Sequence, residues 1–473
     1  MITLQHILSA LTQYQGKTPD LTLSGAEIDS RRVIPGSLFI ALPGERVDGH
    51  AFIADAFAQG ALIAIVQQDL SNRFATLDIR RFTNQSQIDF PQPPFCLWVE
   101  DCLKALQNIA RFWRRELKIR VIGITGSVGK STTKEVVTEI LSQKYHTFKN
   151  PGNYNNEIGL PLTILNMGDG YERAVLEMGF YYPGEIAFLC DIALPQIGIV
   201  TNIGTVHAER VGSQAEIVKG KTELVQSLPA APEGIAILNN DDPLVRPMAE
   251  KTKARVITYG LNKQADIWAD NVRSKGLQGI TFDLHYANEV LHLSTPLIGR
   301  HSALTALSAI AAGYSEGLSS IEISRGLALA QSQLRMVVKK TLKGAVILDD
   351  TYNATPESTM VALDLLNEVD GRHIAVLGDM LELGEYEHQG HAQVGEYAAG
   401  KVDVLIAVGP RSKTLVESAL KAGLPASSII WQEDAMQVLD PLNRYLEEGS
   451  VVLIKGSHGM RMDRITAALK EFE

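Results

Sequence analysis

The stretch that most constrains the fold is Arg120-Val121-Ile122-Gly123-Ile124-Thr125, followed at once by Gly126-Ser127-Val128-Gly129-Lys130-Ser131-Thr132. The first six residues read as a buried strand, the two glycines as a turn, and a helical pattern begins near Lys130. A strand, a glycine-rich turn and a helix in that order make a phosphate-binding loop. Gly126 and Gly129 permit the backbone geometry that points successive N–H groups inward, and the helix N-terminus adds a partial positive charge. Lys130 can then reach the β- and γ-phosphates, and the Ser131 hydroxyl can ligate Mg²⁺. The plainer alternative, a glycine-rich turn with an exposed lysine, fits the strand–loop–helix setting less well. ATP with Mg²⁺ is therefore the expected ligand, cradled by Gly126, Ser127, Val128, Gly129, Lys130, Ser131 and Thr132. The general pattern also requires a glycine five residues before the second one, and Ile124 stands there. This shortened form speaks against an ordinary kinase or GTPase.

Length bounds the context of the loop. At 473 residues, 45% hydrophobic and 21% charged, the chain is long enough for about three domains, each with its own core. Residues 1–115 mix short helical and strand patterns, with the Pro-rich Phe90-Pro91-Gln92-Pro93-Pro94 near their end. An amphipathic run over 102–117 leads into the central domain, 116–333. There, strand candidates at 174–178, 197–201, 235–238 and 256–259 alternate with helical stretches, as in βαβ units around a mostly parallel sheet. Residues 279–297 alternate like an antiparallel hairpin, and 302–314 read as a helix. A third domain, 334–473, has strand candidates at 345–348, 374–377, 404–408, 429–431 and 451–454, a Rossmann-like doubly wound sheet. The expected fold class is α/β, with a smaller mixed N-terminal domain and a central sheet of the P-loop type.

Lys and Arg number 44 against 54 Asp and Glu, a balance of −10 that speaks against a nucleic-acid partner. The three cysteines, Cys96, Cys102 and Cys190, lack metal-ligand spacing, and any disulfide would leave one unpaired. A reducing cytoplasm is the expected location. The N-terminus shows no basic segment followed by an apolar run, and no stretch approaches the ~20 apolar residues of a membrane span.

Two further residues fall at the C-terminal ends of predicted parallel strands, the sheet edge where ligands bind. Glu177 ends the run Ala174-Val175-Leu176 and is a candidate ligand for the nucleotide's metal. His207 follows Thr201-Asn202-Ile203-Gly204-Thr205-Val206 and could ligate a second Mg²⁺ or orient a phosphate; a lone histidine is as readily structural.

Several longer segments carry a resemblance. They include Asp29-Ser30-Arg31-Arg32-Val33-Ile34-Pro35-Gly36 with Asp48-Gly49-His50, the loop itself, Leu176-Glu177-Met178-Gly179, and residues 201–209. Together they resemble the Mur ligases, the ATP-dependent amide ligases that build the peptidoglycan peptide, and the likeness runs over nearly the whole chain. The family's short phosphate loop accounts for Ile124. Asn153-Tyr154-Asn155-Asn156-Glu157-Ile158-Gly159, residues 349–356, residues 376–384 and residues 455–462 are similar to the member that adds the final dipeptide. The Asp-Asn-Pro-Arg motif of the diaminopimelate-adding member is absent.

The resemblance implies UDP-N-acetylmuramoyl-tripeptide (UDP-MurNAc-tripeptide) and D-Ala-D-Ala as substrates, an acyl-phosphate intermediate and a monomeric enzyme. It implies that Ser30 and Arg31 serve the uridine nucleotide and that Asn153, Asn155 and Asn156 contact substrate. Ser131, Glu177 and His207 would hold two Mg²⁺ ions. Lys221 aligns with the lysine that the family carbamylates, although Lys219 lies close enough to leave the register open. Arg335 would reach the phosphates, and Asp350 would belong to the third domain's nucleotide face. In one place the sequence departs from the family. After Leu297-Ile298-Gly299-Arg300-His301 the family usually shows Asn-x-x-Asn, and here Ser302 and Thr305 stand instead, without an amide's paired donor and acceptor. His301 could still contact the base. A phosphotransferase, a non-catalytic relative, or a ligase for another acceptor such as D-Ala-D-lactate are the alternatives.

Overall fold

The computed structural model describes residues 1–44, 47–83, 88–205, 208–330 and 336–469. It is α/β throughout, built on three sheets. By packing, the described chain falls into two compact units: residues 1–123, 145–179 and 185–197, and residues 124–144, 180–184 and 198–473.

The first unit contains a five-stranded sheet in the order β1-β2-β3-β5-β4, from β1 (Ala26–Glu27), β2 (Leu38–Ile40), β3 (Ile63–Val66), β4 (Thr76–Asp78) and β5 (Phe95–Trp98). Every pair in it is parallel. Both faces of β2 and β3 are buried. That explains why these strands read as short unbroken apolar runs without alternation. The helix Cys102–Glu116 starts at Asp101, whose carboxylate accepts from the Lys104 N–H at 3.0 Å. Its apolar face, Leu106, Ile109 and Trp113 among others, is buried. Arg114 on that helix is buried as well, and its guanidinium donates to the carbonyls of Ala193 (2.6 Å), Leu117 (3.0 Å) and Ile119 (2.8 Å). Burial pulls its pKa down to about 10.

The central sheet has nine strands. β6 (Arg120–Thr125, of which 120–123 belong to the first unit), β7 (Thr147–Lys149) and β8 (Arg173–Glu177) lie in the order β6-β8-β7. In the second unit, β9 (Ile197–Val200), β10 (Ile235–Asn239), β11 (Arg255–Gly260), β12 (Ile267–Ser274), β13 (Ile280–Tyr286) and β14 (Glu289–Thr295) follow in sequence order across the sheet. The pairs from β10 to β12 are parallel, and β12, β13 and β14 are antiparallel. The predicted hairpin is present: β13 and β14 turn at Ala287 (φ 49°) and Asn288 (φ 67°), the left-handed pair that matches strand twist in a two-residue hairpin. The predicted Ala-rich helix spans Ser302–Ser315.

The third sheet runs β15-β16-β20-β17-β18-β19, from β15 (Val337–Lys340), β16 (Val346–Asp350), β17 (Arg372–Gly378), β18 (Val404–Val408), β19 (Ile429–Gln432) and β20 (Ser450–Lys455). All pairs are parallel except the edge pair β15–β16. Successive residues of a strand alternate between two cores. Leu348, Leu377, Leu405 and Leu453 pack on one face, and Ile347, Val376, Ile406 and Ile454 on the other. Helices cover both faces, so the sheet is doubly wound, as the five predicted strands implied.

Candidate active site

β6 ends at Thr125, and the loop passes through Gly126 (φ 147°) and Gly129 (φ 84°) into the helix Lys130–Leu141. The two glycines are needed for different reasons. A Cβ on Gly126 would collide with the Thr201 hydroxyl. Gly129 is the left-handed residue at the helix start, and nothing lies within 4 Å of where its Cβ would be. Glycine there keeps the mouth of the loop open.

The loop is held from outside by Asn202, just beyond β9. The Ser127 N–H donates to the Asn202 carbonyl (2.9 Å), the Val128 N–H donates to Asn202 Oδ1 (2.8 Å), and Asn202 Nδ2 donates back to the Val128 carbonyl (2.9 Å). The Thr201 hydroxyl donates to that same carbonyl at 2.8 Å, and the Gly204 N–H donates to Ser127 Oγ at 2.8 Å. Ser127 and Val128, predicted to face the nucleotide, thus have their amides engaged by Asn202. Asn202 is not among the residues expected at the site. Its only local signal is a carboxamide one residue past a strand end, and its partners lie 74 residues away.

Two ammonium groups converge on one carbonyl. Lys130 Nζ donates to Gly126 O at 2.9 Å and to Ser127 O at 3.3 Å. Lys221, on the helix Gln214–Gln226, donates to Gly126 O at 2.9 Å. Lys221 is buried at 3% exposure, with its Nζ 5.0 Å from the centroid of Phe180. Two lysine side chains thus meet at the carbonyl that opens the loop.

In the first unit Glu177 closes β8 and is fully buried. Its Oε1 accepts from Asn155 Nδ2 at 2.8 Å, and its N–H donates to Asn150 Oδ1 at 2.9 Å. Asn156 Oδ1 accepts from the N–H groups of Ile158 (3.3 Å) and Gly159 (2.9 Å) at the head of the helix Gly159–Leu165. Asn155 thus orients a carboxylate and Asn156 shapes a helix start, whereas Asn153 is exposed. Among the described residues no group of three or more His, Cys, Asp or Glu is arranged to hold a metal. His207 and Arg335, two predicted site residues, lie outside the described residues.

At the uridine motif Asp29 caps the turn Ser30–Arg32 and takes the Arg31 guanidinium at 2.9 and 2.7 Å. Arg31 holds the Asp29 carboxyl down to about 2. Ser30 is buried and Arg31 points to solvent. The residue after them faces a cleft instead: Arg32 Nη1 donates to the Tyr154 hydroxyl at 2.6 Å, and both line a space of about 260 Å³ with Glu27, Phe148 and Lys149. Burial pushes the Glu27 carboxyl up, and its Oε2 has no hydrogen-bond partner.

A second cleft, of about 450 Å³, lies in the second unit among Ile203, Gln214, Asn239, Asp242, Leu244 and Leu304. His301 is exposed nearby at the head of the helix that carries Leu304. Ser302 turns its hydroxyl onto the Ile298 carbonyl at 2.7 Å and offers nothing outward. In the third sheet Asp350 is paired with the buried Lys455 at 2.6 Å, and Lys455 also donates to the Asn353 carbonyl at 2.8 Å. Glu357, at the head of the helix Pro356–Glu368, accepts from the N–H and hydroxyl of Thr205 at 3.2 and 3.3 Å. Arg210 Nη2 lies 2.6 Å from Glu382. The turn beside the phosphate loop is thus tied to the third sheet's domain at two points.

Family models match three consecutive stretches: "Mur ligase family, catalytic domain" over 22–90, "Mur ligase middle domain" over 124–313, and "Mur ligase, glutamate ligase domain" over 334–458. The UDP-N-acetylmuramoyl-tripeptide–D-alanyl-D-alanine ligase of Bacillus subtilis is 33% identical over 95% of this chain and 93% of its own length. The chain belongs to the Mur ligase family. The Escherichia coli Mur ligase of the same name is also 33% identical, over 99% of this chain and 98% of its own. Among solved Mur ligases, MurF from Acinetobacter baumannii superposes with a TM-score of 0.84 at 28% identity, covering 99% of this chain and 98% of that one. MurF from Thermotoga maritima, solved in complex with ADP, gives 0.78 at 27% identity over 96% of this chain and 98% of that one. The three-domain α/β architecture read from the sequence is the architecture of these Mur ligases. No helix among the described residues is long and apolar enough to cross a membrane.

Proposed function

We propose that the chain joins D-Ala-D-Ala to UDP-MurNAc-tripeptide with ATP, forming the pentapeptide nucleotide of peptidoglycan synthesis. The observation that carries this reading is near-full-length similarity, at 31–34% identity, to ligases of this one activity. Residues 1–115 serve the uridine nucleotide, 116–333 the ATP and 334–473 the incoming dipeptide. The enzyme works as a cytoplasmic monomer.

A carboxylate is too poor an electrophile to be aminolysed at neutral pH. The tripeptide carboxylate therefore attacks the γ-phosphate, ADP leaves, and an acyl phosphate forms. The amine of D-Ala-D-Ala then attacks the acyl carbon and phosphate departs. The protein's task in the first step is to hold two anions together, and Lys130 at the mouth of the loop supplies the charge that shields them. Gly129, Ser131 and Thr132 cradle the phosphates, with Gly126, Ser127 and Val128 shaping the loop behind them. His301 contacts the nucleotide, and Arg335 reaches toward its phosphates. Asp350 acts through Lys455, which it holds in place.

The residues present fit a magnesium enzyme: a hydroxyl at the helix start and a fully buried carboxylate at a strand end are hard oxygen donors. Ser131 and Glu177 would hold the nucleotide's Mg²⁺, and Glu177 with His207 a second ion, adding Lewis-acid charge at the phosphates. Asn155 orients the Glu177 carboxylate for this. Lys221 is the candidate for carbamylation, because it is a buried lysine already lodged against the loop. Ser30, Arg31, Asn153 and Asn156 serve the substrate, and Arg32 joins them at the cleft it shares with Tyr154.

Phosphate release by the purified protein tests the reading, with ATP and each of the lysine- and diaminopimelate-containing UDP-tripeptides. The expected result is release that needs both the tripeptide nucleotide and D-Ala-D-Ala. Release that needs neither overturns it, and a preference for D-Ala-D-lactate would reassign the acceptor.

A further inference from the structure

The cleft of about 450 Å³ beside the phosphate loop contains a polar side chain with no assigned task. One wall is Ile203, and the next residue, Gly204, donates its N–H to Ser127 Oγ of the loop. The cleft therefore adjoins the loop in which a nucleotide's phosphates would lie. The lining from Ile203, Pro243, Leu244 and Leu304 is apolar and suits the faces of a flat heterocycle.

The polar lining is almost all committed to the protein itself. Asn239 donates to the Thr201 carbonyl (2.9 Å) and accepts from the Asp241 N–H (3.0 Å). Asp241 accepts from the Leu261 N–H at 2.6 Å. Asp242 accepts from the N–H groups of Ile203 (2.9 Å) and Leu244 (2.8 Å). The carboxamide of Gln214, the first residue of its helix and half-buried, makes no hydrogen bond among the described residues. A carboxamide offers one donor and one acceptor side by side, the pattern that adenine's N7 and 6-amino group complement. Ser302 and Thr305, which stand where the family's amides usually do, cannot offer that pair.

We propose that Gln214 reads the edge of the nucleotide base in this cleft and supplies the adenine recognition that Ser302 and Thr305 lack. The proposal rests on the ATP-dependent ligase reading. The carboxamide accepts from the adenine 6-amino group and donates to N7. It is a specificity residue and takes no part in the chemistry of the acyl phosphate.

The test is a cycle between side chain and ligand, read as the dissociation constant of Mg²⁺-nucleotide by calorimetry on the full chain. ADP is compared with purine riboside diphosphate, which lacks the 6-amino group, in the native protein and in Gln214→Leu. A single hydrogen bond predicts about fivefold weaker binding of the analogue by the native protein, and a difference under twofold in Gln214→Leu. The same discrimination in both proteins, or none in the native one, overturns the proposal. Gln214→Glu keeps the acceptor and loses the donor. It should still penalise the missing amino group, yet bind ADP and 7-deaza-ADP alike, whereas equal penalties for 7-deaza-ADP in Gln214→Glu and the native protein count against the assignment. Failure of the native protein to bind ADP at all would instead sink the ATP reading, a result distinct from binding without discrimination.

Discussion

Asn202 braces the phosphate loop. Its side chain contributes two hydrogen bonds to Val128, at 2.8 and 2.9 Å, and these brace the outer wall of the phosphate loop. Asn202→Ala removes both and leaves a backbone N–H and C=O to find other partners. At roughly 1 kcal/mol per bond, and more where no water replaces it, the loss is about 2–3 kcal/mol. That cost falls on the ordered form of the loop, so it should appear as about 30- to 150-fold weaker Mg²⁺-ADP binding at 1.4 kcal/mol per tenfold. Asn202→Asp keeps the acceptor for the Val128 N–H but turns a carboxylate oxygen toward the Val128 carbonyl and sets a negative charge near the phosphates. It should bind at least as weakly as the alanine variant. Calorimetric titration with ADP measures both, and thermal unfolding serves as the control that the sheet is intact. ADP affinity within threefold of the native protein, at unchanged stability, would refute the idea that Asn202 holds the loop.

Three further outcomes are expected. Lys221→Ala should abolish ligation, with partial recovery in short carboxylates such as acetate; full activity without rescue rejects the carbamate. Arg114→Leu leaves buried carbonyls of Leu117, Ile119 and Ala193 without their donor and should lower unfolding stability by about 3–4 kcal/mol, read from denaturant midpoints at constant m. Burial pushes the thiols of Cys96 and Cys102 up to about 12. The folded state therefore keeps these protons while an unfolded thiol loses its own near pH ~8.5. Their contribution to stability is complete below that pH and is lost as pH climbs toward the folded value. At pH 8.5, iodoacetamide should label these two cysteines only as fast as the protein opens, and labelling at free-thiol rates would contradict the burial.

Much of this was legible because the signals are local. The phosphate loop is contiguous, and its glycines, lysine and serine appear in order within eight residues. The strands of the third sheet read as short apolar runs because helices cover both faces. The hairpin at 279–297 betrayed itself by alternation. β15 (Val337–Lys340) did not, because an antiparallel edge strand of four residues with two lysines has no apolar run to show. Non-local pairings were hidden as well. Asn202 meets Val128, and Asn155 meets Glu177, only after the sheet has formed. That Arg32 meets Tyr154 at a cleft while Arg31 pairs with Asp29 was likewise hidden, since Tyr154 lies 122 residues away. The pairing of Asp350 with Lys455 was hidden too, because only the neighbouring strand β20 brings the two together.

The proposed reaction begins when a carboxylate oxygen of the tripeptide attacks phosphorus. It is tested most directly by running the reaction with UDP-MurNAc-tripeptide whose terminal carboxylate carries oxygen-18, then examining the released phosphate by mass spectrometry. The expected product is phosphate bearing one labelled oxygen, formed only when D-Ala-D-Ala is present to take the acyl group. Amide product accompanied by unlabelled phosphate would contradict it.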